Sequence, residues 1–348
     1  MSMIIDKPYS YRSKAGVWLA LALLLLPVAA LAADEEEEES RYPQTLEDRA
    51  AAVEQKLQAD YTEDGVNECL KCHDETSEFP VLEVLKTRHG VRADERTPFA
   101  GKHCEACHGP GGDHAGRVRR GQPRPLMLNF GQDAWTPIAT QNEQCLQCHE
   151  NHERIEWKGS THEFNELSCS ACHQVHAAHD PVLEEREQSQ VCYSCHITQR
   201  SQFLKAFHHP VREGELACTG CHDVHGGDGS DLIITATKRQ MCTSCHADKR
   251  GPFLWEHAPA AEDCALCHDP HGSNHPALLK KRPPHLCQQC HSQSGHPNVR
   301  YDGAAVGLGL APAIGSRGPS RFAAIRGCLN CHSQVHGTNH PSGVTLTR

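Results

Sequence analysis

Every cysteine in this 348-residue chain belongs to a Cys-x-x-Cys-His motif, and there are ten such motifs. Their cysteines are Cys69 and Cys72, Cys104 and Cys107, Cys145 and Cys148, Cys169 and Cys172, Cys192 and Cys195, Cys218 and Cys221, Cys242 and Cys245, Cys264 and Cys267, Cys287 and Cys290, and Cys328 and Cys331. The histidines that close them are His73, His108, His149, His173, His196, His222, His246, His268, His291 and His332. Structural zinc and disulfides are the competing uses of paired cysteines. Zinc knuckles do not need a histidine after every pair, and disulfides need none. Two thiols three residues apart, followed at once by an imidazole, match what covalent attachment of c-type haem requires. The thiols add to the two vinyl groups on one porphyrin edge, and the histidine supplies a proximal ligand to the iron. The motifs therefore imply ten c-type haems.

The N-terminus fits export, which haem attachment outside the cytoplasm requires. Lys7, Arg12 and Lys14 precede an apolar run from Ala15 to Leu26, and Ala30-Leu31-Ala32 offers a small-residue cleavage site. Residues 1–32 read as a signal peptide, which places the mature chain in the periplasm. The remaining 316 residues carry a formal charge of −12. That acidity argues against nucleic acid as a partner. Residues 33–60 read as an acidic tail, Asp34 to Glu39, followed by an N-terminal helix. Thr45 would cap it with Asp48 as the capping-box acid, and Leu46, Val53 and Leu57 would share a face.

Residues 61–348 read as a decahaem domain. With aromatics at only 5% and one motif for about every 32 mature residues, porphyrins rather than side chains supply the buried apolar surface. The fold class expected is a multihaem cytochrome c: short helices at the motifs and long irregular loops around a linear haem array, with little or no sheet. A second helix is expected from Asp180-Pro181 through Gln190, with Pro181 at its first position. The Gly- and Ala-rich stretch 301–327 reads as a long loop.

The 17 histidines outside the motifs reveal a repeat. Each even-numbered motif has one spare histidine before it and one after: His89 and His114, His162 and His176, His209 and His225, His257 and His271, His296 and His336. The unit is thus two haems and two spare histidines, repeated five times, and the odd motifs begin 76, 47, 50 and 45 residues apart. Ten spare histidines for ten irons imply bis-histidine ligation. His176 lies three residues from His173 and cannot reach round to the far face of the same ring, so it must serve a neighbouring haem. Three residues span about 10 Å at most, so haems are forced close together. Which distal histidine serves which iron stays open. His103, His152, His179, His208, His275, His285 and His340 read as ordinary surface or core histidines, although His208 competes with His209 and His340 with His336. Met127 and Met241 are the only methionines of the mature chain, so methionine ligation reaches two haems at most and low potentials follow. Arg117, Arg119, Arg120 and Arg124 form a basic cluster that would pair with propionates or dock an anionic partner.

No motif replaces its histidine with lysine, as multihaem nitrite reductases do at their reactive haem, and no catalytic residue is marked. The chain reads as an electron-transfer protein, not an enzyme.

Three stretches carry a more specific likeness: Arg250-Gly-Pro-Phe-Leu-Trp-Glu-His-Ala-Pro259, Leu286-Cys-Gln-Gln-Cys-His291 and Cys328-Leu-Asn-Cys-His-Ser-Gln-Val-His-Gly337. With motif count and spacing, they make the chain from about Tyr61 onward resemble the MtrA/DmsE-type periplasmic decahaem cytochromes of outer-membrane porin–cytochrome conduits. The resemblance implies an electron wire inside an outer-membrane β-barrel of the MtrB type. A periplasmic or quinol-linked cytochrome would stand on one side and an outer-surface multihaem cytochrome on the other. It also carries over the ten flanking histidines as ligands. Metal oxide, dimethyl sulfoxide or ferrous iron would be the extracellular redox partner. A free periplasmic shuttle feeding a soluble reductase, and a multihaem reductase, are the rival readings. A loop-rich backbone crosses a bilayer only inside a closed barrel. A chain of this length has a radius of gyration of roughly 20 Å and hence a diameter of about 50 Å, enough to span a membrane about 40–45 Å thick.

Overall fold

Each Cys-x-x-Cys-His segment closes one helical turn, in which the amide of the histidine donates to the carbonyl of the first cysteine. The bond runs from His73 to Cys69 (3.0 Å), His173 to Cys169 (2.9 Å), His268 to Cys264 (3.0 Å) and His332 to Cys328 (2.8 Å), and equivalently at five further motifs. The turn sets both sulfurs on one side, with the histidine one full turn beyond the first of them. The computed structural model describes residues 42–77, 79–151, 154–227, 229–291, 328–341 and 343–347. The signal peptide, the acidic run, the 301–327 loop, His152 and His296 lie outside the described residues.

Among the described residues there is no β-strand. The isolated bridges are Phe207 with Ser273, His222 with Ile233, Trp255 with Thr338 and His268 with Leu279. The five longest α-helices are α1 (Leu46–Leu57), α2 (Ile138–His149), α3 (Gln188–Tyr193), α4 (Ile197–Phe203) and α5 (Lys238–Cys245). The third, fifth and seventh motifs begin within α2, α3 and α5, whereas the fourth, sixth, eighth, ninth and tenth occupy single 3₁₀ turns. The chain is a fold of short helices and irregular connections, as the sequence predicts.

Two packing units emerge, one comprising Met1–Phe79 with Arg88–Gln144 and the other Pro80–Thr87 with Cys145–Arg348. In the first, Thr45 caps α1 by accepting from the Asp48 amide at 3.0 Å. Asp48 does not reach back to the cap amide. Its carboxylate instead accepts from the Thr45 hydroxyl at 2.7 Å. Only Val53 of the expected apolar face is buried, and Leu46 is 75% exposed. Val53 packs with Trp135 and the fully buried Leu128. Glu105 ties the unit together, accepting from the amides of Thr62 (3.0 Å) and Gly111 (2.6 Å) and from the Thr62 hydroxyl (2.8 Å).

In the second unit Tyr193, Phe203 and Val211 form a small cluster. The helix expected from Asp180 to Gln190 is broken. Pro181–Leu183 makes one 3₁₀ turn, Glu184 is extended (φ −99°, ψ 118°), and α3 starts at Gln188. Pro181 does occupy the first position. Asp180, however, makes no capping bond, because its carboxylate is turned to His173.

Large apolar side chains such as Ile155, Phe164, Leu183 and Ile197 remain exposed, as expected of a peptide whose apolar partner is not protein.

Candidate haem sites

The thiols contact one another in a repeating order. First cysteines pair within each two-motif repeat: Cys69 with Cys104, Cys145 with Cys169, Cys192 with Cys218, Cys242 with Cys264 and Cys287 with Cys328. Sharing one proton between two sulfurs lowers the Cys218 thiol to about 7 and pushes Cys192 up. Between repeats, second cysteines come close enough for their charges to interact: Cys172 with Cys195, Cys221 with Cys245, and Cys267 with Cys290. None of the twenty cysteines is in a disulfide.

The sequence treats the ten second cysteines alike, and here the structure differs. Cys72 and Cys331 are not brought into the between-repeat order. Cys72 and Cys331 belong to the first and tenth motifs, at the two ends of the motif series, and Cys107 and Cys148 fall in different packing units. Cys72, Cys148 and Cys331 are exposed, and Cys107 is half-buried with its charge felt by Cys104 of its own motif. The motif turn nevertheless holds. The amides of Cys72, Cys107 and Cys331 donate to the carbonyls of Cys69 (3.2 Å), Cys104 (3.2 Å) and Cys328 (3.1 Å), and Cys148 lies in the last turn of α2. For Cys72 and Cys331 the expected cover is the porphyrin edge rather than protein, so their assignment to haem rests on the motif.

The histidines are held in one tautomer. A carbonyl oxygen only accepts, so an imidazole Nδ1 bonded to one carries its proton and leaves Nε2 bare for a metal. His108 Nδ1 donates to Leu128 O (2.7 Å), His222 Nδ1 to Asp231 O (2.8 Å), His268 Nδ1 to Ala277 O (2.7 Å) and His332 Nδ1 to Thr345 O (2.6 Å). His173, the proximal histidine of the remaining even motif, lies 2.9 Å from a carboxylate oxygen of Asp180. Spare histidines are fixed the same way. His114 donates to Pro125 O (2.7 Å), His162 to Val224 O (2.8 Å), His176 to Val81 O (3.2 Å), His209 to Pro270 O (2.7 Å) and His257 to Val335 O (2.9 Å). His271 Nδ1 is 3.1 Å from the side-chain oxygen of Gln202.

Local sequence places these rings. Ser160 caps the four-residue helix bearing His162 by accepting from the Glu163 amide at 3.1 Å. His257 precedes a short helix with Pro259 in its first turn. The loops after the sixth and eighth motifs turn a carbonyl toward the proximal ring through consecutive left-handed residues, Asp231 and Leu232 (φ 58° and 54°) and Ala277 and Leu278 (φ 55° and 56°).

Seven proximal rings each face one spare ring. In the first unit His73 faces His114 at 6.3 Å between ring centres. In the second, His173 faces His225 (6.2 Å), His196 faces His162 (6.2 Å), His222 faces His271 (6.0 Å), His246 faces His209 (6.3 Å), His268 faces His336 (6.1 Å) and His291 faces His257 (6.0 Å). A metal–imidazole bond of about 2 Å puts the ring centre roughly 3 Å from the metal. Two axial imidazoles on one iron therefore have centres about 6 Å apart, the separation observed. Four buried donors near these sites, Trp157 Nε1, Trp255 Nε1, Tyr193 OH and Arg239 Nε, have no acceptor, which fits a bound group rich in oxygen. The residues fit bis-histidine haem.

Three proximal and two spare histidines remain among the described residues. His108 meets Phe130 edge-on at 5.3 Å. His149 ends α2, and His332 is anchored on Thr345. His89 sits on the turn Arg88–Gly90, and His176 is fixed on Val81. Burial holds His89, His114, His176, His271 and His336 below the ordinary histidine value, which keeps them in the neutral, metal-binding form.

The remaining histidines differ. His179 gives its Nε2 to Glu187 at 2.8 Å, and that hydrogen bond raises its pKa. His208 turns Nδ1 to the His209 carbonyl (2.9 Å) and its ring lies edge-on to Phe203, while the adjacent His209 faces His246. His103 stands edge-on to Phe99. Arg124 donates to the carbonyls of His114 (2.6 Å) and Gly116 (3.0 Å), so it braces the His114 loop. Arg117, Arg119 and Arg120 are exposed.

Comparison with known proteins agrees with this chemistry. The family model described as cytochrome c-type protein NrfB-like matches residues 104–190, and that for the doubled CXXCH motif matches 208–251 and 257–296. The chain is 40% identical over 305 residues to "Multiheme cytochrome MtrA" of Shewanella baltica (strain OS185), covering 87% of this chain and 88% of that protein. It is 30% identical over 140 residues to "Cytochrome c-type protein NrfB" of Escherichia coli O6:H1, covering 38% of this chain and 66% of the relative. It is also 31% identical over 112 residues to "Cytochrome c-554" of Nitrosomonas europaea, covering 29% and 41%. Motifs, tautomers and matches together define a multihaem c-type cytochrome, an electron-transfer protein rather than an enzyme. More narrowly, the chain belongs to the family of the multihaem cytochrome MtrA.

Proposed function

We propose that the protein is a ten-haem electron wire that crosses the outer membrane inside a β-barrel partner. The ten proximal histidines named above, and His89, His114, His162, His176, His209, His225, His257, His271, His296 and His336, are its axial ligands, arranged as five two-haem repeats. The haem, when bound, supplies the one-electron carrier. The chain fixes its spacing, ligand tautomer and exposure.

The observation that carries this reading is the reciprocal exchange of imidazoles between successive repeats. His162 of the second repeat faces His196 of the third, and His225 of the third faces His173 of the second. His209 faces His246 while His271 faces His222, and His257 faces His291 while His336 faces His268. Each of these junctions is stitched twice, so neighbouring sites are locked in sequence, and none of these ring pairs leaves an axial position for substrate. Such an array transfers electrons along itself.

The membrane setting rests on similarity to MtrA and on a physical constraint. Among the described residues no helix is long and apolar enough to cross a membrane. An irregular backbone crosses only when sheathed. A barrel of the MtrB type would provide the sheath. Periplasmic or quinol-linked cytochromes would exchange electrons at one end, and an outer-surface cytochrome or an extracellular acceptor or donor at the other. Cleavage of residues 1–32 would release the mature chain into the periplasm. Detergent-solubilised outer membranes should yield the cytochrome bound to a β-barrel protein. Recovery solely in the soluble periplasmic fraction would overturn the conduit in favour of a free shuttle.

A further inference from the structure

We propose that Asp180 gives the fourth motif a more reducing site than the other even motifs, by placing a carboxylate where they use a neutral carbonyl behind the proximal histidine. This rests on the ligand assignment above. Five even-motif histidines present Nδ1 to an acceptor, and four of the acceptors are backbone carbonyls. At His173 the acceptor is the Asp180 carboxylate at 2.9 Å.

The exception has a local cause. After the eighth motif the chain reads His275-Pro276-Ala277-Leu278, and the Ala277 carbonyl holds His268 through left-handed backbone at Ala277 and Leu278. After the fourth motif the matching stretch is Asp180-Pro181-Val182-Leu183. Valine is β-branched and resists the left-handed region that Ala277 adopts. The Val182 carbonyl is committed elsewhere, accepting from Gln188 Nε2 at 2.9 Å. Asp180, standing where the later repeat has His275, fills the gap with its own side chain.

The carboxylate is also poorly compensated by anything else. The Asp180 side chain is 15% exposed, and its second oxygen, Oδ1, is buried without a partner. Its negative charge is therefore directed largely at the His173 Nδ1–H. A carboxylate accepting this proton raises the basicity of the imidazole as a metal ligand and makes the hydrogen bond charge-assisted. Greater electron donation through Nε2 favours the ferric over the ferrous state. The couple exchanges one electron, and the shared proton stays between His173 and Asp180 in both states. In the array, this position would fill with an electron later than its even-numbered counterparts, so passage through it is an uphill step.

Asp180→Asn keeps the shape and an acceptor oxygen but removes the charge. In the complete haem-loaded protein, a potentiometric titration followed by absorption and EPR should show one component easier to reduce. About a tenfold change in its ferric/ferrous ratio is expected, which is about 59 mV for a one-electron couple. Mass and low-spin signals should stay those of the parent, and Asp180→Glu, which keeps the charge, should restore the parent titration. A superimposable Asp180→Asn titration with haem content intact overturns the proposal and leaves the ligand assignment standing. If Asp180→Asn fails to load one haem, Asp180→Glu decides. A parent-like titration supports the charge, and a positive shift there shows that shape alone matters and overturns it. Loss of low-spin character in the unmodified protein would instead refute the ligand assignment.

Discussion

Replacing His225 with alanine is expected to convert one haem in ten from low spin to high spin and to leave the other nine unchanged. His225 stands 6.2 Å from His173, with the ring planes within 11° of each other. Trp157, which is buried, meets its ring edge-on at 6.3 Å. Among the described residues no other imidazole ring meets that of His173, so the alanine leaves one axial face without a strong-field ligand. Electron transfer along the whole array should slow at least tenfold, because a single-file path has no detour round the altered site. His179→Ala is the matched control. His179 is only three residues from His176, but its Nε2 is engaged by Glu187 at 2.8 Å, and its removal should leave every haem low spin. Absorption and EPR spectra of the two purified variants check the pair. Equal spectra for His225→Ala and the parent would remove His225 from the ligand set.

The second large effect concerns the fold itself. Chain made without haem attachment is expected to be unfolded, with neither a helical far-ultraviolet signal nor a cooperative melt. Eleven apolar residues are buried among the described ones, and they fall into separated groups such as Val53–Leu128–Trp135 and Tyr193–Phe203–Val211. Most helices are a single turn, and helices this short are unstable alone. Burial on this scale is far too small to offset the conformational entropy of ordering so long a chain. Folding must therefore be coupled to the haems, as it is to the metal in small metalloproteins. A chain lacking haem that unfolds cooperatively would show that side chains suffice. Circular dichroism of protein expressed without export and haem attachment is the measurement.

What could be read from the sequence, and what could not, follows from where the information sits. The motif turns were legible because each is closed within five residues, from first cysteine to histidine. The Thr45 cap was legible for the same reason. The pairing of rings was not. His257 and His291 are 34 residues apart and His268 and His336 are 68 apart, and only the path of the intervening chain decides which meets which. The grouping of sulfurs is equally non-local. Nothing in the motifs distinguishes Cys172, which meets Cys195, from Cys72 or Cys331, which stand outside that order. The choice between His208 and His209 likewise depended on which way two adjacent rings turn. Here His209 faces His246 and His208 faces its own chain and Phe203. The carbonyls behind the even-motif histidines were invisible because backbone oxygens leave no mark in a sequence. Asp180 did leave one. It reads naturally as a helix cap before Pro181, and the structure diverts it to His173 and breaks the expected helix at Glu184. Lining up the stretches after the fourth and eighth motifs would have exposed the aspartate in the place of His275.

The account stands on every iron having an imidazole on each face. EPR of the fully oxidised, mature wild-type protein at neutral pH tests this most directly. Only low-spin ferric signals, integrating to ten haems per chain, are predicted. A high-spin ferric signal amounting to even one haem per chain would contradict it.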